Sequence, residues 1–154
     1  MRSSFFTITD TNYMYNSNNK GVGILDKPIL ACITAQPSCE GVINAAKLMA
    51  ERLETELIVV TAQPLKADAE ERSQAVKELK RLSEICDVDI VVRYGDNAAQ
   101  SIASHAAKCN PLHIFIGEDN GFLSKFLSLY REAPVSTVQK EIVFTVPSEV
   151  QSIK

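Results

Sequence analysis

Residues 28–53 read PILACITAQPSCEGVINAAKLMAERL, and this stretch decides the fold. Its first part, PILACIT, is an apolar run that predicts a buried strand, and the run breaks at AQPS. Its second part places Val42, Ala46, Met49 and Leu53 at helical spacing, which predicts a helix with one buried face. A buried strand that leads directly into such a helix opens an α/β sheet, and ligands of these sheets collect where strand meets helix.

Strands and helices alternate along the rest of the chain as well. Runs rich in β-branched residues predict strands, and a stripe formed by Val76, Leu79, Leu82 and Ile85 predicts that the longest helix buries one face. After the first strand, at 29–34, and its helix, the predicted segments are a strand at 56–61, a helix at 67–86, a strand at 89–94, a helix at 97–109, a strand at 112–117, a short helix around 122–130 and a strand at 141–146. This alternation implies right-handed crossovers and a parallel sheet with helices on both faces.

The chain divides into a regular body and two ends. Residues 28–147 are interpreted as one α/β domain, which agrees with a length of 154 residues and a hydrophobic share of 45%. Residues 1–27 are rich in asparagine and serine and are interpreted as an N-terminal extension, flexible in part, in which Phe6-Thr7-Ile8-Thr9 allows a short strand. Residues 148–154 are interpreted as a C-terminal tail.

Charge and cysteine usage argue against several classes of function. A formal charge of −3 gives no sequence-wide basic field that would attract nucleic acid. No apolar run approaches the roughly 18 residues that a membrane span requires, and the N-terminus lacks the pattern of a secretory signal, so we expect a cytoplasmic protein without membrane insertion. The four cysteines include no C-x-x-C pair, which indicates neither a zinc site nor a disulfide framework.

The reactive side chains do not assemble a catalytic site in the sequence. His105 follows Ser101 by four residues on a predicted helix, and His113 lies inside a predicted strand, but no carboxylate or nucleophile elbow accompanies them. No pair of histidines or carboxylates has the spacing of metal ligands. The sequence therefore favours a protein that is not an enzyme.

Taken in order, the segments resemble a universal stress protein domain. The Kdp-type potassium sensor kinase has a stress-protein-like domain, and residues 31–62 resemble it in their sequence ACITAQPSCEGVINAAKLMAERLETELIVVTA, a cysteine-bearing strand that leads through a Pro-Ser turn into an alanine-rich helix. Residues 93–117 resemble the family's strand, Gly-Asp turn, helix and strand in reading RYGDNAAQSIASHAAKCNPLHIFIG. The resemblance covers residues 28–147.

The resemblance implies a fold, an assembly and a place for a ligand. The fold is an open five-stranded parallel sheet of order 3-2-1-4-5, termed adenine nucleotide alpha hydrolase-like. The assembly is a homodimer that pairs the last strand, between Glu141 and Val146, with its copy, and an exposed edge strand is also what general sheet physics expects there. The ligand site is the switch point between strands one and four, where the loops at 34–38 and 117–121 converge.

The implied ligand is ATP or another adenine nucleotide, with magnesium, held by backbone N–H groups and the start of the first helix; the alternative is that the protein has no cofactor. The candidate ligand-binding residues are Thr34, Ala35, Gln36, Ser38, Thr61, Gly117, Asn120, Gly121, Ser124 and Ser128. Glu118 and Asp119 either ligate magnesium at a bound triphosphate or simply solvate their loop.

The glycine loop departs from the pattern of the members of the family that hold ATP. That pattern is a glycine, two residues, a second glycine, nine residues and then Gly-Ser or Gly-Thr. Here Gly121 stands one position late, Ser128-Leu129 takes the place of the closing pair, and Thr34 takes the place of an aspartate at the end of the first strand. These departures predict weak or altered nucleotide binding, in which the Ser124 and Ser128 hydroxyls supply donors to a phosphate.

Three functions stay open at the level of the sequence. The leading hypothesis is a small cytoplasmic regulatory or sensor protein of the universal stress type, linked to potassium or osmotic response, that binds an adenine nucleotide weakly. The second is an interaction module that binds no nucleotide and contacts a kinase or a transporter. The third is an enzyme that slowly hydrolyses ATP in the same pocket.

Overall fold

A sheet of seven strands organises the part of the chain that the structure, a computed structural model, describes: residues 6–8, 27–117, 121–139 and 142–148. The strands are β1 (Phe6–Ile8), β2 (Ile29–Ile33), β3 (Leu57–Gln63), β4 (Ile90–Tyr94), β5 (His113–Gly117), β6 (Val135–Gln139) and β7 (Ile142–Val146). The helices are α1 (Cys39–Leu53), α2 (Ala69–Cys86), α3 (Ala98–Cys109) and α4 (Phe122–Leu129).

The strands lie in the order β1-β4-β3-β2-β5-β6-β7, and the described pairs are parallel except for β6 with β7. The predicted α/β sheet of order 3-2-1-4-5 is confirmed, because β4, β3, β2, β5 and β6 are parallel strands in that arrangement. Two further strands extend it: β1 pairs with β4 at one edge, and β7 pairs with β6 at the other.

The fifth parallel strand is β6 and not the segment at 141–146 to which the sequence analysis assigned it. β7 occupies that segment and is antiparallel to β6. The reason is the length of the connection: only residues 140 and 141 separate the two strands, and a parallel neighbour requires a crossover of a dozen or more residues. The antiparallel strand therefore forms the edge of the sheet.

Alternation along the strands divides the core into two layers. Ile29, Ala31 and Ile33 of β2 pack in a cluster with α1 and α2, whereas Leu30 and Cys32 pack in a second cluster with α3 and α4. Successive residues of a strand point to opposite faces of the sheet, so helices cover both faces, as predicted. The four cysteines are buried as free thiols.

Caps mark the start of α2 and the ends of α1, α2 and α3. Asp68 and Glu71 form a capping box at the start of α2, because the Asp68 Oδ1 atom accepts from the Glu71 N–H group at 2.8 Å and Glu71 Oε1 accepts from the Asp68 N–H group at 3.2 Å. The residues that follow α1, α2 and α3, which are Glu54, Asp87 and Asn110, take left-handed conformations with φ of 55°, 56° and 51°. These three helices therefore end on a residue other than glycine in a region that favours glycine.

Two apolar side chains that the helical spacing placed on buried stripes are exposed instead. Leu53 is 39% exposed at the end of α1, and Ile85 is 53% exposed near the end of α2. Both lie in the last turn of their helices, so the stripe that covers the sheet is shorter than the helix that carries it.

The predicted short strand near the N-terminus is confirmed for residues 6–8, which pair in parallel with β4. The remainder of the extension, residues 1–5 and 9–26, and the tail at 149–154 lie outside the described residues. The division of the chain into extension, body and tail stays a prediction. No helix in the described part of the chain is long and apolar enough to cross a membrane.

Candidate functional site

A cavity of about 320 Å³ opens where the carboxyl ends of β2 and β5 meet the start of α1. β2 continues into α1 on one face of the sheet, whereas β5 leads toward α4 on the other face. Neighbouring parallel strands whose connections leave in opposite directions form the switch point of an open sheet, and the crevice between them is where such sheets bind ligands. The cavity also lies within the usual range of small-molecule sites, about 300–1,000 Å³.

The polar rim of the cavity comes from the loop between β2 and α1. Thr34, Gln36 and Ser38 line the cavity and are exposed. Ser38 is the residue that precedes α1, and its hydroxyl makes no capping hydrogen bond to the helix. The loop therefore places two hydroxyls and one amide at the rim of the cavity.

The start of α1 is already partly satisfied by its own turn. The N–H groups of Cys39, Glu40 and Gly41 donate to the carbonyl oxygens three residues earlier, at distances from 3.0 to 3.3 Å. A helix N-terminus attracts an anion through its unpaired N–H groups, so a phosphate at this end of α1 competes with these turn hydrogen bonds.

Cys39, the first residue of α1, contacts the loop between β2 and α1 through its sulfur. The backbone N–H group of Thr34 donates to Cys39 Sγ at 3.3 Å, and the Thr34 hydroxyl lies 3.4 Å from the same sulfur. Cys32 lines the cavity on β2, and burial raises the pKa of its thiol far above the usual range, which keeps the thiol neutral. The two sulfurs add apolar, polarisable surface beneath the polar rim.

The walls of the cavity are apolar and come from several elements. Val42 of α1, Ile102 of α3, Phe122 of α4 and Val138 of β6 contribute the larger side chains. Gly117 ends β5 at the wall, and a Cβ atom there would lie 3.3 Å from a methyl group of Val42, so glycine allows β5 to end close to α1. An apolar chamber with a polar mouth suits a flat heterocycle that carries polar substituents.

Of the ten residues predicted to bind a ligand, the structure brings four to this cavity: Thr34, Gln36, Ser38 and Gly117. Ala35 belongs to the same loop but packs on the core beneath α1, and Gly121 is the left-handed N-cap residue of α4, with φ of 81°. Thr61 is buried in β3, where its hydroxyl accepts from the Gln63 side chain at 2.9 Å. A role in ligand binding stays a prediction for all of these residues.

The remaining predicted residues lie on or near α4. Ser124 and Ser128 are exposed on that helix and do not line the cavity, and the Ser128 hydroxyl donates to the Lys125 carbonyl oxygen at 2.7 Å. Asn120, together with Glu118 and Asp119, lies outside the described residues.

The sequence analysis missed the apolar lining, most clearly Ala62, Ala98 and Val138. Ala62 lies one position after the predicted Thr61, and the alternation of β3 turns Ala62 toward the cavity while Thr61 faces the other layer. Ala98 opens α3 directly after its N-cap residue Asn97, and a small residue in a first turn at the carboxyl edge of the sheet is the signal that could have identified it.

Both histidines lie away from the cavity. His113 Nε2 is 2.7 Å from the Ser136 hydroxyl, which in turn is 2.8 Å from the Thr145 hydroxyl, so a hydrogen-bonded chain joins β5, β6 and β7. None of the three residues lines the cavity between β2 and β5. Among the residues that the structure describes, no three His, Cys, Asp or Glu side chains are grouped to hold a metal ion.

Solved structures with this arrangement of strands and helices include universal stress proteins. One, from Pseudomonas aeruginosa UCBPP-PA14, matches with a TM-score of 0.65 at 15% identity over 77% of this chain, and this chain spans about half of it (50%). A universal stress protein in complex with cAMP matches with a TM-score of 0.55 at 12% identity, over 75% of this chain and 98% of that one. A universal stress family protein from Burkholderia pseudomallei matches with a TM-score of 0.53 at 14% identity, over the same shares.

These similarities concern the fold. No protein-family model matches the sequence, and no curated protein matches it either. The chain therefore has the universal stress protein fold, while its ligand and its partners are matters for proposal and experiment.

Proposed function

We propose that this chain is a small regulatory protein of the universal stress type that binds an adenine nucleotide in the cavity between β2 and β5. The observation that carries the proposal is the cavity itself, which combines the switch-point position with an apolar chamber and a polar rim. One structure with the same fold is a universal stress protein in complex with cAMP, which supports an adenine ring as the occupant of such a fold.

The chamber suggests how a nucleotide would be oriented. The adenine ring would lie among Val42, Ile102 and Phe122, where its removal from water is favourable. The ribose and phosphate would face Thr34, Gln36 and Ser38 at the mouth. Because the first N–H groups of α1 already donate within their turn, a single phosphate is expected to be held as well as a triphosphate.

Isothermal titration with ATP and magnesium, with cAMP and with cyclic di-adenosine monophosphate tests this proposal directly. A matched pair of variants on α3 locates the site: Ala98→Trp fills the rim of the cavity, whereas Ala107→Trp adds the same ring at an exposed position outside the cavity. We expect micromolar binding by the parent chain and by Ala107→Trp, and at least about tenfold weaker binding by Ala98→Trp. Equal affinity of the two variants, or no heat with any nucleotide in a folded protein, contradicts the proposal.

The same titration separates the two alternatives. If no nucleotide gives binding heat, the result favours the interaction module, which would contact a kinase or a transporter without a ligand. Steady-state release of phosphate from ATP that survives repurification and disappears in Ala98→Trp favours the slow ATPase. A link to potassium or osmotic response depends on the resemblance to the Kdp-type sensor kinase and is tested by whether potassium or osmolyte changes nucleotide affinity.

We also propose that the chain forms a homodimer through β7. Within the described residues β7 pairs only with β6, and it exposes Val143 on one face (46%) and Phe144 on the other (55%). A strand with a free edge and apolar side chains on both faces is a template for pairing with a second copy about a twofold axis.

Sedimentation equilibrium tests this assembly. Val143→Lys and Phe144→Lys place charge on the proposed contact, and Leu65→Lys, at a position that is 53% exposed in the connection between β3 and α2, is the matched control. We expect a dimer for the parent chain and for Leu65→Lys, and a monomer when both β7 positions are changed. A monomeric parent chain, or a dimer that tolerates both lysines, contradicts the proposed interface.

A further inference from the structure

Among the described residues that line the cavity between β2 and β5, the polar side chains are neutral. They are the hydroxyls of Thr34 and Ser38 and the amide of Gln36, and the other described lining residues are apolar, a glycine or cysteines. The Cys32 thiol is uncharged as well, because burial raises its pKa far above the usual range. Neutral donors and acceptors match the hydroxyls of a sugar and the edge of a base, which are also neutral.

The start of α1 offers little attraction to a phosphate. The N–H groups of Cys39, Glu40 and Gly41 donate within their own turn, at 3.0, 3.2 and 3.3 Å, so an anion would have to replace these hydrogen bonds. The Glu40 side chain, in the same turn, already places a carboxylate at the positive end of the helix dipole. A second negative group at this end is repelled by the first.

The sequence next to the cavity carries more negative than positive charge. The lining residues Gly117 and Val138 are followed, within two positions, by stretches 118–120 and 140–141, which lie outside the described residues. These stretches contain three acidic residues, Glu118, Asp119 and Glu141, and one lysine, Lys140. The whole chain has a formal charge of −3. A ligand that carries several phosphates is therefore repelled as it approaches.

We propose that this cavity binds its ligand through the adenosine part and makes no favourable contact with the phosphates, so that neutral adenosine binds at least as tightly as ATP. The adenine ring would lie in the apolar chamber, and the ribose hydroxyls would pair with Thr34, Gln36 and Ser38. A volume of about 320 Å³ lies near the lower end of the usual range, about 300–1,000 Å³, and suits a nucleoside better than a longer triphosphate. This inference rests on the proposed function, because it takes an adenine compound as the occupant.

Calorimetric titration with adenosine, AMP and ATP, each with magnesium and with a chelator, compares ligands that differ only in their phosphates. We expect adenosine to match AMP within about threefold and to bind at least as tightly as ATP. A site that held a phosphate by charge-assisted hydrogen bonds would lose about tenfold or more in affinity when that phosphate is removed. Added potassium chloride is expected to leave the affinity for adenosine unchanged and not to weaken the binding of ATP.

Two lysines lie closest in the chain to lining residues, and their removal tests for a phosphate contact. Lys125 is exposed on α4, and Lys140 lies between β6 and β7. The double variant Lys125→Gln with Lys140→Gln is expected to change the affinity for ATP by less than about threefold. Its matched control, Lys80→Gln with Lys108→Gln, removes the same charge at exposed positions on α2 and α3 outside the cavity. A loss of about tenfold in the first variant alone would overturn the proposal.

Gln36→Ala removes a rim side chain that either part of the ligand could contact. It is expected to weaken adenosine and ATP by the same factor, roughly threefold to tenfold, because both would use this amide through the ribose. Gln100→Ala, at an exposed position on α3 outside the cavity, is the matched control and should change neither affinity. A larger loss for ATP than for adenosine would assign Gln36 to a phosphate and contradict the inference.

The outcomes separate this inference from the proposed function. Adenosine that binds as tightly as ATP, with both weakened in Ala98→Trp, supports the two together. ATP that binds in the cavity while adenosine binds about tenfold more weakly overturns the inference and leaves the proposed function standing. A folded chain that binds neither adenosine nor any adenine nucleotide overturns both.

Discussion

At the scale of single residues, burial decides the behaviour of His105. The side chain is 1% exposed and lies against a guanidinium, so protonation is unfavourable and the pKa falls from 6.5 to about 4. The unfolded chain then binds a proton more readily than the folded one. The stability that this residue contributes is complete above pH 6.5 and is lost as the pH falls through that value toward about 4.

His105→Gln is expected to flatten the dependence of stability on pH in this window. Glutamine keeps an acceptor for Arg93 but does not titrate, so the variant should lose about 3 kcal/mol less unfolding free energy between neutral pH and pH 4 than the parent chain. Urea denaturation at several pH values measures this difference. Because the carboxylates titrate alike in both proteins, parallel curves for the two would contradict the expectation.

Sequence reasoning at this scale found the polar residues of the site and missed the apolar ones. Thr34, Gln36 and Ser38 were identified because they lie in the loop after the first strand, at the switch point that the family resemblance implies. Ala62 and Val138 line the same cavity, but each resembles any core residue in the sequence. To tell a residue of the cavity wall from a residue of the core, one must know which face of the strand its side chain is on and where the neighbouring helix begins.

At the scale of secondary structure elements, the chain of hydroxyl and imidazole groups joins β7 to the parallel sheet. Ser136 of β6 is 2% exposed and contacts both His113 of β5 and Thr145 of β7, so its hydroxyl links β6 to both neighbouring strands. Ser136→Ala removes both contacts and leaves polar atoms of its neighbours without this partner, which is expected to cost about 2 kcal/mol. Thr145→Val removes one contact at an exposed position and is expected to cost less than about 1 kcal/mol.

Urea denaturation measures both costs, and hydrogen exchange locates them. Amides of β7 should exchange faster in Ser136→Ala than in the parent chain, while amides of β2 should change little. Equal costs for Ser136→Ala and Thr145→Val would show that the chain of contacts does not couple the strands.

The elements that the sequence predicted best are those buried on both faces. β2, β3, β4 and β5 each contain a continuous apolar run, because the neighbouring helices cover both sides of the sheet. β6 was missed since its sequence, VSTVQ, mixes polar and apolar residues directly after Pro134. The β-branched residues in that run were the available signal, and they correctly indicate a strand. Because β6 was missed, β7 was taken as the fifth parallel strand, and its direction was predicted wrongly.

At the scale of the whole molecule, a ligand that binds only the folded state must stabilise it. A nucleotide present at about 100 times its dissociation constant is expected to add about 2.7 kcal/mol to the unfolding free energy, which for a chain of this size raises the Tm by about 5–10 °C. Scanning calorimetry with and without cAMP measures the shift. Ala107→Trp should retain it and Ala98→Trp should lose it; a shift that persists in Ala98→Trp would place the ligand elsewhere.

The left-handed residues after α1, α2 and α3 also indicate how this fold can be engineered. An L residue in that conformation costs roughly 1 kcal/mol more than glycine, and Glu54 is the clearest position because its side chain is exposed. Glu54→Gly should therefore raise the Tm in scanning calorimetry, and it does not change the lining of the cavity between β2 and β5. The thermal stability of this fold can therefore be raised by substitutions that leave the backbone unchanged, which makes the protein a practical scaffold into which new binding surfaces can be built.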